Sequence, residues 1–481
     1  MKLINPLIIL RILSTILLLE TISFLICLPV AVFYKEPLDP LLFSASFTGL
    51  LFIILRIITR NVDTTKISNR DGYVAVTLSW LVFAIMGALP YLISGTIPSF
   101  IDAFFESASG FTTTGASILR DIEALPYSIL FWRSFTHWIG GLGIIVLVII
   151  ILPSLRITAQ QLMGLESSLK EKTHPKTKAV GFRLLIIYLG LTLSEILFLY
   201  LGEMNLFDSI CHTFGTVATG GFSTKNASIA AFSSYTQYVI AFFMLLSGVS
   251  FVAYYYILKR QFIKVKHTEE LWFYLGTVLV VIILIVGILL IKTTSSFEAI
   301  LRESVFQAIS IITTTGYVTT DYLLWPPAAI TLIFILLFAG ANTGSTTSSI
   351  KMSRHLIVIR NVKNLFTRLI HSNVITQIKL NGRPVSEKDN TSIISFVILY
   401  LSIFLAGTII VTLTGLDPVT SASGVAATLG NVGPALGSLG PVCNYAHMPE
   451  ITKFIFVILM IVGRLEIITV FVLFTRSFWK L

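Results

Sequence analysis

The chain has 481 residues, of which 55% are hydrophobic and only 12% are charged, and its formal net charge is +10. Soluble globular proteins carry about 25% charged residues. This composition therefore excludes a soluble enzyme and a disordered chain, and it indicates an all-α protein that crosses a membrane many times. The three cysteines are far apart and form no CxxC pair, so neither a disulfide framework nor a metal site is indicated.

Apolar segments of roughly the ~20 residues that a transmembrane helix needs recur along the chain. They are predicted as spans near 7–33, 40–59, 73–95, 126–152, 181–201, 235–258, 271–291, 326–339, 391–414 and 451–475. Four intervening segments are too short to cross and are rich in Ser, Thr and Gly: 101–118, 207–223, 298–318 and 418–438. Four others are basic: 56–72, 153–183, 259–270 and 351–391.

The distribution of basic residues predicts the orientation. The basic segments and the two termini hold 26 of the 34 lysines and arginines. Cytoplasmic loops carry an excess of such residues, so we expect these segments and both termini to be cytoplasmic. The Ser/Thr/Gly segments then lie on the outer side.

The four outer segments resemble one another and predict a fourfold repeat. Aligned on one glycine, they place Gly115, Gly220, Gly316 and Gly433 at intervals of 105, 96 and 117 residues. Each glycine has an apolar span before and after it. The predicted unit is a span, a short re-entrant helix, a Thr/Gly loop and a second span, and two extra spans precede the first unit.

Such loops are suited to binding a dehydrated cation. Non-helical backbone at membrane depth must be buried in protein or line water, and backbone carbonyls can replace the hydration shell of an ion. Glycine permits the necessary backbone angles, and each short helix would direct the negative end of its dipole inward. The candidate cation-binding residues are Thr113, Thr114, Gly115, Ala218, Thr219, Gly220, Thr314, Thr315, Gly316, Asn431, Val432 and Gly433.

Acidic residues lie near the outer ends of the short helices. Two interpretations remain open for them: attraction of cations at an outer mouth, or ordinary capping of the positive end of the helix. The residues are Asp102, Asp208, Glu303 and Asp417.

Together with these loops, further motifs resemble the Trk/Ktr/HKT superfamily of potassium transporters over essentially the full length. They are His137-Trp138-Ile139-Gly140-Gly141-Leu142-Gly143, Ala446-His447-Met448-Pro449-Glu450, Gly463-Arg464-Leu465-Glu466 and Phe474-Thr475-Arg476-Ser477-Phe478-Trp479. The two extra N-terminal spans favour the bacterial TrkH type over the shorter Ktr type.

The resemblance implies a function and an organisation. It implies potassium uptake across the bacterial cytoplasmic (inner) membrane through a four-loop filter, since a glycine in every loop goes with K⁺ preference. It also implies no enzymatic activity, no cofactor, a homodimer and a cytoplasmic nucleotide-binding regulatory subunit similar to TrkA. The predicted units are 1–66 (two N-terminal helices), 67–165, 166–266, 267–375 (with a broken second helix) and 376–481.

The resemblance further implies a gate below the loops. The matching segment runs from Ala339 to Lys351, and the candidate gate residues in it are Gly340, Asn342, Gly344, Ser345 and Thr346. It departs from the usual glycine run of the family at Thr347-Ser348-Ser349, which leaves the mobility of this loop open. A polar interruption of a span must in any case line protein or water.

Arg464 is the remaining gate candidate. An arginine in the middle of a span is costly, by about 2.5–3.5 kcal/mol on insertion scales, and the resemblance implies that it resists cation flow in the pore. The alternative is an ion pair with an acid on a neighbouring helix. Glu466 is a poor partner because residues two apart on a helix do not face each other.

Other functions are less consistent with the sequence. Secondary transporters usually have inverted repeats and a midplane site, whereas these units repeat in one direction. No nucleophile, base or metal constellation of an intramembrane enzyme is evident. The alternative that stays open is a sodium-permeable or ion-coupled (H⁺ or Na⁺) potassium symporter of the same architecture. The basic segments are either a docking surface or an ordinary consequence of cytoplasmic orientation.

Overall fold

The computed structural model describes residues 4–63, 67–146, 175–371, 374 and 376–480. Most of the basic segment 153–183 and the end of the predicted span 126–152 lie outside these residues. Helices dominate the described part, which confirms the predicted all-α membrane fold class. A short antiparallel hairpin, β1 (Lys379–Leu380) and β2 (Arg383–Pro384), pairs Leu380 with Arg383.

The α-helices follow one another with short connections. In chain order they are α1 (Pro6–Phe33), α2 (Asp39–Ile58), α3 (Asn69–Met86), α4 (Leu89–Ile93), α5 (Phe100–Phe111), α6 (Tyr127–Val146), α7 (Pro175–Leu201), α8 (Leu206–Val217), α9 (Ser234–Ser247), α10 (Phe251–Leu258), α11 (Phe262–Lys266), α12 (Glu269–Lys292), α13 (Phe297–Ile312), α14 (Pro327–Leu336), α15 (Met352–Ile370), α16 (Glu387–Thr412), α17 (Pro418–Leu429), α18 (Glu450–Arg464), α19 (Ile468–Phe471) and α20 (Arg476–Trp479).

Six stretches of the described chain are long and apolar enough to cross a membrane. They are Pro6–Phe33, Asp39–Ile58, Asn69–Ile93, Gly181–Leu201, Glu269–Lys292 and Glu387–Thr412. Large apolar side chains remain exposed on them, for example Leu193 and Ile283. These exposed faces are consistent with contact to lipid, because lipid tails do not penalise apolar surface.

Two predicted spans are sharply bent. The segment 235–258 bends by 93° between α9 and α10, and the segment 451–475 bends by 104° after α18. Hydropathy does not reveal these bends because both sides of each break are apolar. At the first break, the carbonyl of Gly248 accepts a hydrogen bond from the backbone N–H of Asn342 at 3.1 Å. At the second, Glu466 and Ile467 have left-handed φ angles of 57° and 52°.

Four short helices, α5, α8, α13 and α17, fill the places of the predicted re-entrant segments. Each begins with a side-chain N-cap, which accepts a hydrogen bond from a backbone N–H in the first turn. The capping residues are Ser99, Asn205, Ser296 and Asp417. Capping therefore explains where each helix begins.

The structure separates the four acids that the sequence grouped together. Asp417 is itself an N-cap, and hydrogen bonds from Thr420 hold the pKa of its carboxyl below the ordinary value. Asp102 and Asp208 lie in the first turns of α5 and α8, where the helix dipole favours negative charge. Glu303 was wrongly assigned to a helix end, since the acid in the first turn of α13 is Glu298.

Candidate functional site

The chain makes the same turn after each of the four short helices. The second residue beyond the helix has a left-handed φ angle, and so does the glycine two residues later. The pairs are Thr113 (52°) with Gly115 (79°), Thr219 (56°) with Gly221 (83°), Thr314 (52°) with Gly316 (79°) and Asn431 (53°) with Gly433 (95°). We call these turns loop 1 (112–116), loop 2 (218–222), loop 3 (313–317) and loop 4 (430–434).

The register of loop 2 differs from the alignment made on sequence. That alignment matched Gly220 to Gly115, but Gly221 has the positive φ angle and the matching distance from the helix end. Two adjacent glycines made the sequence ambiguous by one residue. Ala218 was one of the candidate binding residues predicted from the sequence. In the structure it corresponds to Thr112, because each is the C-cap residue of its short helix, α8 and α5 respectively.

The four loops contact one another in a closed ring. A Cβ atom added to any of the four positive-φ glycines would lie within 3.0 Å of a carbonyl oxygen in another loop. Gly115 faces the carbonyl of Gly220, Gly221 that of Thr315, Gly316 that of Val432, and Gly433 that of Thr114. The contacts run from loop 1 through loops 2, 3 and 4 and return to loop 1. Only glycine fits at these positions, because both the backbone angle and the close approach exclude a side chain.

The ring contains carbonyl oxygens without hydrogen-bond partners. In each loop, the left-handed residue and the one after it have carbonyls that accept no hydrogen bond from any described residue. Such groups are uncommon in protein interiors, where nearly all buried carbonyls are paired. The residues are buried: Thr113, Thr114, Thr219, Gly220, Thr314, Thr315, Asn431 and Val432. Oxygen ligands of this kind suit a hard cation rather than a metal that prefers sulfur or nitrogen.

Side chains could also form a metal site apart from the carbonyls of the ring. Across the residues that the structure describes, no group of three or more His, Cys, Asp or Glu side chains is arranged to hold a metal ion. Any cation held in the ring would therefore be coordinated mainly by backbone and hydroxyl oxygens. The Thr113 hydroxyl has no hydrogen-bond partner in the described part of the chain.

A buried ion pair supports loops 1 and 2. Glu106 on α5 lies 2.6 Å from Arg133 Nε on α6, and both side chains are at most 2% exposed. The Glu106 carboxylate also accepts hydrogen bonds from Ser117 Oγ and from the Ile118 backbone N–H. Arg133 Nη1 donates to the Ser223 carbonyl at 2.8 Å. The pair therefore links the chain beyond loop 1 to the chain beyond loop 2.

His137 joins the same two loops. Its Nε2 accepts a hydrogen bond from the Phe222 backbone N–H at 3.1 Å, and its Nδ1 lies 2.7 Å from the Gly110 carbonyl. Because Nε2 accepts, Nδ1 must carry the proton that it donates to Gly110. His137 thus connects the end of α5 to loop 2.

These residues also verify the corrected register. Glu106 and His212 each lie nine residues before the ring glycine of their loop, Gly115 and Gly221. Each bonds a serine eleven residues downstream: Ser117 Oγ at 3.0 Å from Glu106, and Ser223 Oγ at 2.9 Å from His212. None of Glu106, Arg133 and Gly221 was among the site residues predicted from the sequence. The sequence does contain a signal for Glu106 and Arg133. Both are charged residues within apolar segments, where charges are costly and are usually functional.

The segment 337–351, which contains the predicted gate segment 339–351, lies against the ring. Ser348 N–H donates to Thr314 Oγ1 in loop 3 at 3.0 Å, and Thr346 Oγ1 donates to the Val217 carbonyl at the end of α8 at 3.2 Å. Gly340 N–H donates to the Ile350 carbonyl at 2.8 Å and closes the segment at its base. We call 337–351 the inner loop.

The opposite side of the inner loop contacts the bend between α9 and α10. Asn342 Nδ2 donates to the Gly248 carbonyl at 3.0 Å, and Phe251 N–H donates to the Gly344 carbonyl at 3.0 Å. Ser345 bonds within the loop, through its Oγ to the Asn342 carbonyl at 2.6 Å. Among the predicted gate residues, Thr346 is therefore on the ring side, whereas Asn342 and Gly344 anchor the loop on the other side.

The departure Thr347-Ser348-Ser349 is accommodated by side-chain hydrogen bonds. Ser349 has a left-handed φ angle of 59°, which glycine would adopt without strain. Its hydroxyl donates to the Leu337 carbonyl at 3.0 Å. Lys351 Nζ contacts the Thr347 hydroxyl at 2.9 Å. These contacts fix the conformation that glycines would leave free.

Arg464 is buried at the last residue of α18, next to the inner loop. Its Nη1 donates to the Thr346 carbonyl at 2.8 Å and to Ser348 Oγ at 3.1 Å, and its Nη2 donates to the Gly140 carbonyl at 3.1 Å. It forms no ion pair with a described residue. Glu466 pairs with Arg354 on α15 instead. The alternative in which an acid neutralises Arg464 is therefore wrong for the described part of the chain.

Comparison with known proteins identifies the family. The family model TrkH, described as a cation transport protein, matches residues 43–481. The chain is 36% identical over 422 residues to the Trk system potassium uptake protein TrkH of Salmonella typhimurium, covering 86% of this chain and 87% of that protein. It is 34% identical over 447 residues to TrkH of Escherichia coli K12, covering 90% and 92%.

A solved structure resembles the whole chain. The crystal structure of the potassium transporter TrkH from Vibrio parahaemolyticus superposes with a TM-score of 0.90 at 30% identity, covering 99% of this chain and 100% of that one. The superfamily inferred from the loop motifs is confirmed. The chain belongs to the TrkH family of cation transport proteins.

Proposed function

We propose that this chain takes up K⁺ across a bacterial cytoplasmic membrane through the ring formed by loops 1–4. The observation that carries the proposal is the ring of buried carbonyls without hydrogen-bond partners. The names of the relatives support it, since those from Salmonella typhimurium and Escherichia coli are named Trk system potassium uptake proteins.

The ring would replace the water around K⁺. The carbonyls of Thr113 and Thr114, with their counterparts in the other loops, supply two sets of four oxygens. Such oxygens can substitute for the hydration shell of an ion. The four short helices end at the ring, and each C-terminus contributes about −0.5 of an elementary charge nearby. A cation would therefore be favoured without a fixed negative side chain, which allows it to leave again.

The inner loop and Arg464 would form the gate. The guanidinium lies beside the loop with no neutralising acid among the described residues, and its positive charge opposes a cation at this depth. In the observed conformation, Arg464 donates to Thr346 and Ser348 and so holds the loop against the ring. Opening would require these hydrogen bonds to break.

Several finer features belong to the same proposal. Both termini and the basic segments would be cytoplasmic, and the five-unit division of the chain would keep the boundaries given above. A homodimer and a cytoplasmic nucleotide-binding subunit similar to TrkA would complete the assembly. The alternative is a sodium-permeable or ion-coupled potassium symporter. It predicts that Na⁺ competes with ⁸⁶Rb⁺, or that uptake depends on an H⁺ or Na⁺ gradient.

The test is uptake of ⁸⁶Rb⁺ into proteoliposomes, with K⁺, Na⁺ and Cs⁺ as competitors. We expect K⁺ but not Na⁺ to block uptake, and Gly115→Ser to reduce this discrimination. Gly95→Ser is the matched control, because Gly95 also has a positive φ angle (70°) but has nothing within 4 Å of an added Cβ. Uptake that prefers Na⁺ would contradict a potassium filter, and dependence on an imposed H⁺ or Na⁺ gradient would favour the symporter.

A further inference from the structure

A cavity of about 180 Å³ lies on the far side of the inner loop from the ring. It is lined by the bend between α9 and α10, the start of α12, the β1–β2 hairpin and Asn342 of the inner loop. Because the connection 259–268 and the hairpin belong to basic segments, this cavity opens on the proposed cytoplasmic side. We call it the inner-loop cavity.

The buried floor of the cavity offers hydrogen-bond acceptors. Asn342 is only 1% exposed, and its Oδ1 accepts no hydrogen bond from a described residue. The side-chain oxygen and nitrogen of Asn342 cannot exchange places without losing a hydrogen bond, because Nδ2 donates to the Gly248 carbonyl. Glu270, which is 3% exposed, adds a carboxylate to the same lining. A group that carries N–H donors and positive charge would satisfy Asn342 Oδ1 and pair with the Glu270 carboxylate.

The rim of the cavity has the opposite charge. Lys264, His267 and Arg383 line it, and all three are exposed. Asn381 also lines the cavity, and its Nδ2 donates to no described residue, while its Oδ1 accepts from the Glu269 N–H at 2.7 Å. The rim therefore presents cationic groups and an amide donor, which suit an anion such as a phosphate.

We propose that the inner-loop cavity binds a phosphate ester that carries a primary ammonium group, the headgroup chemistry of phosphatidylethanolamine. The ammonium has three donors and no acceptor, which complements Glu270 and Asn342 on the floor. The phosphate would contact Lys264 and Arg383 at the rim. The apolar side chains of Val252 and Leu271 in the lining suit the hydrocarbon part of a lipid.

The bound headgroup would stabilise the present position of the inner loop. The floor residues are the ones that anchor this loop: Asn342 bonds Gly248 through both its backbone and its side chain. Glu270 Oε1 accepts from the backbone N–H groups of Thr343 at 2.6 Å and Ser353 at 3.1 Å. This regulatory consequence rests on the proposed gate, whereas the binding itself does not.

Native mass spectrometry of the delipidated full chain tests binding. Phosphatidylethanolamine, phosphatidylglycerol and phosphatidylcholine are titrated separately, and soluble glycerophosphoethanolamine is added as a competitor. We expect phosphatidylethanolamine to bind about tenfold or more tightly than phosphatidylcholine, whose trimethylated nitrogen has no N–H donor. Displacement by micromolar glycerophosphoethanolamine would assign the site to the soluble ester, and resistance to millimolar competitor would assign it to the lipid.

Two variants locate the site. Asn342→Leu removes the floor acceptor, and the double variant Lys264→Gln/Arg383→Gln removes the rim charges. Each should weaken phosphatidylethanolamine binding about tenfold or more. Lys363→Gln/Lys388→Gln is the matched control, since it removes the same charge from exposed residues outside the cavity.

Equal binding of the three lipids, or equal binding by the variants and the control, would overturn the proposal. Gel filtration would first show that each variant remains monodisperse. The mass measurement does not depend on ion flux. A failure here therefore leaves the potassium function to be judged by the ⁸⁶Rb⁺ assay alone.

Discussion

Loops 1 and 2 have the same backbone turn as loops 3 and 4 but are held by different chemistry. The first two are supported by the Glu106–Arg133 ion pair and by two histidines. Loops 3 and 4 are supported by neutral groups: Ser310 Oγ donates to the Tyr317 carbonyl at 2.7 Å, and Tyr445 OH donates to the Gly433 carbonyl at 2.7 Å.

The difference shows which property of the repeat is essential. The φ angles and the glycine-to-carbonyl contacts recur in all four loops, whereas the supporting side chains do not. At the position nine residues before the ring glycine, the four loops have Glu106, His212, Gln307 and Gly424. Backbone geometry is thus retained, while the side chain at this position ranges from a buried carboxylate to none.

The largest effect is expected from breaking the ion pair. Arg133→Met leaves the Glu106 carboxylate buried without its partner, which costs about 3–5 kcal/mol. Gln307→Leu, in the helix before loop 3, should cost only about 1 kcal/mol, because Gln307 Nε2 makes one neutral hydrogen bond, to Thr319 Oγ1 at 3.3 Å. Thermal unfolding in detergent measures both.

The double variant Glu106→Gln/Arg133→Met is the control for this prediction. It removes both charges and should recover much of the stability that Arg133→Met loses, since replacing a whole buried pair is often nearly neutral. If Arg133→Met were no more destabilising than Gln307→Leu, the contrast between the two halves of the ring would be wrong.

The next effect concerns the register of loop 2. Gly221→Ala forces a side chain into a left-handed residue, at about 1–2 kcal/mol, and brings Cβ against the Thr315 carbonyl. We expect ⁸⁶Rb⁺ uptake or K⁺/Na⁺ discrimination to fall about tenfold or more. Gly95→Ala imposes the same backbone strain in open space and should leave transport unchanged. Equal effects of the two substitutions would argue against the ring contact.

A smaller effect is expected from Arg464→Met. It removes three hydrogen bonds, two to the inner loop and one to the Gly140 carbonyl, and it removes the positive charge beside the proposed path. Unregulated ⁸⁶Rb⁺ uptake should rise several-fold. Losing about 1 kcal/mol of stabilisation of the closed inner loop would raise its open fraction by that factor. Arg70→Met is the control, since Arg70 is half-buried and donates to the Lys480 carbonyl next to the C-terminal helix α20. Reduced uptake by a folded Arg464→Met protein would contradict a restraining role.

The smallest effect is expected from Tyr445→Phe. It removes one neutral hydrogen bond to the Gly433 carbonyl, worth about 1 kcal/mol. The melting temperature should fall slightly, and K⁺/Na⁺ discrimination should weaken less than in Gly221→Ala. Tyr200→Phe, on an exposed face of α7, should change neither quantity. A loss of discrimination as large as that of Gly221→Ala would contradict the view that the backbone geometry of the ring matters more than its side-chain support.

The sequence was sufficient for the features that depend on local pattern. Hydropathy located six long apolar helices and two bent apolar segments of the described chain, and the recurring Thr/Gly loops indicated four equivalent turns. The interruption at 339–351 was visible because polar residues cannot face lipid. The family assignment followed from these motifs and is confirmed by its relatives.

The features that depend on contacts between distant residues were not predictable. Gly220 and Gly221 are equally plausible in sequence, and only the approach of loop 3 distinguishes them. Glu106 and Arg133 are 27 residues apart on different helices, so their pairing depends on how α5 packs against α6. The bends after α9 and α18 are stabilised by the inner loop, which a hydropathy window does not detect.

The most direct test of the ring is to locate the ion. Crystals of the full chain grown with Tl⁺ or Rb⁺ in place of K⁺ would give anomalous peaks at bound cations. We predict peaks among the carbonyls of Thr113 and Thr114 and of their counterparts Thr219, Gly220, Thr314, Thr315, Asn431 and Val432. Peaks confined to acidic side chains away from the ring, with none at these carbonyls, would contradict the assignment.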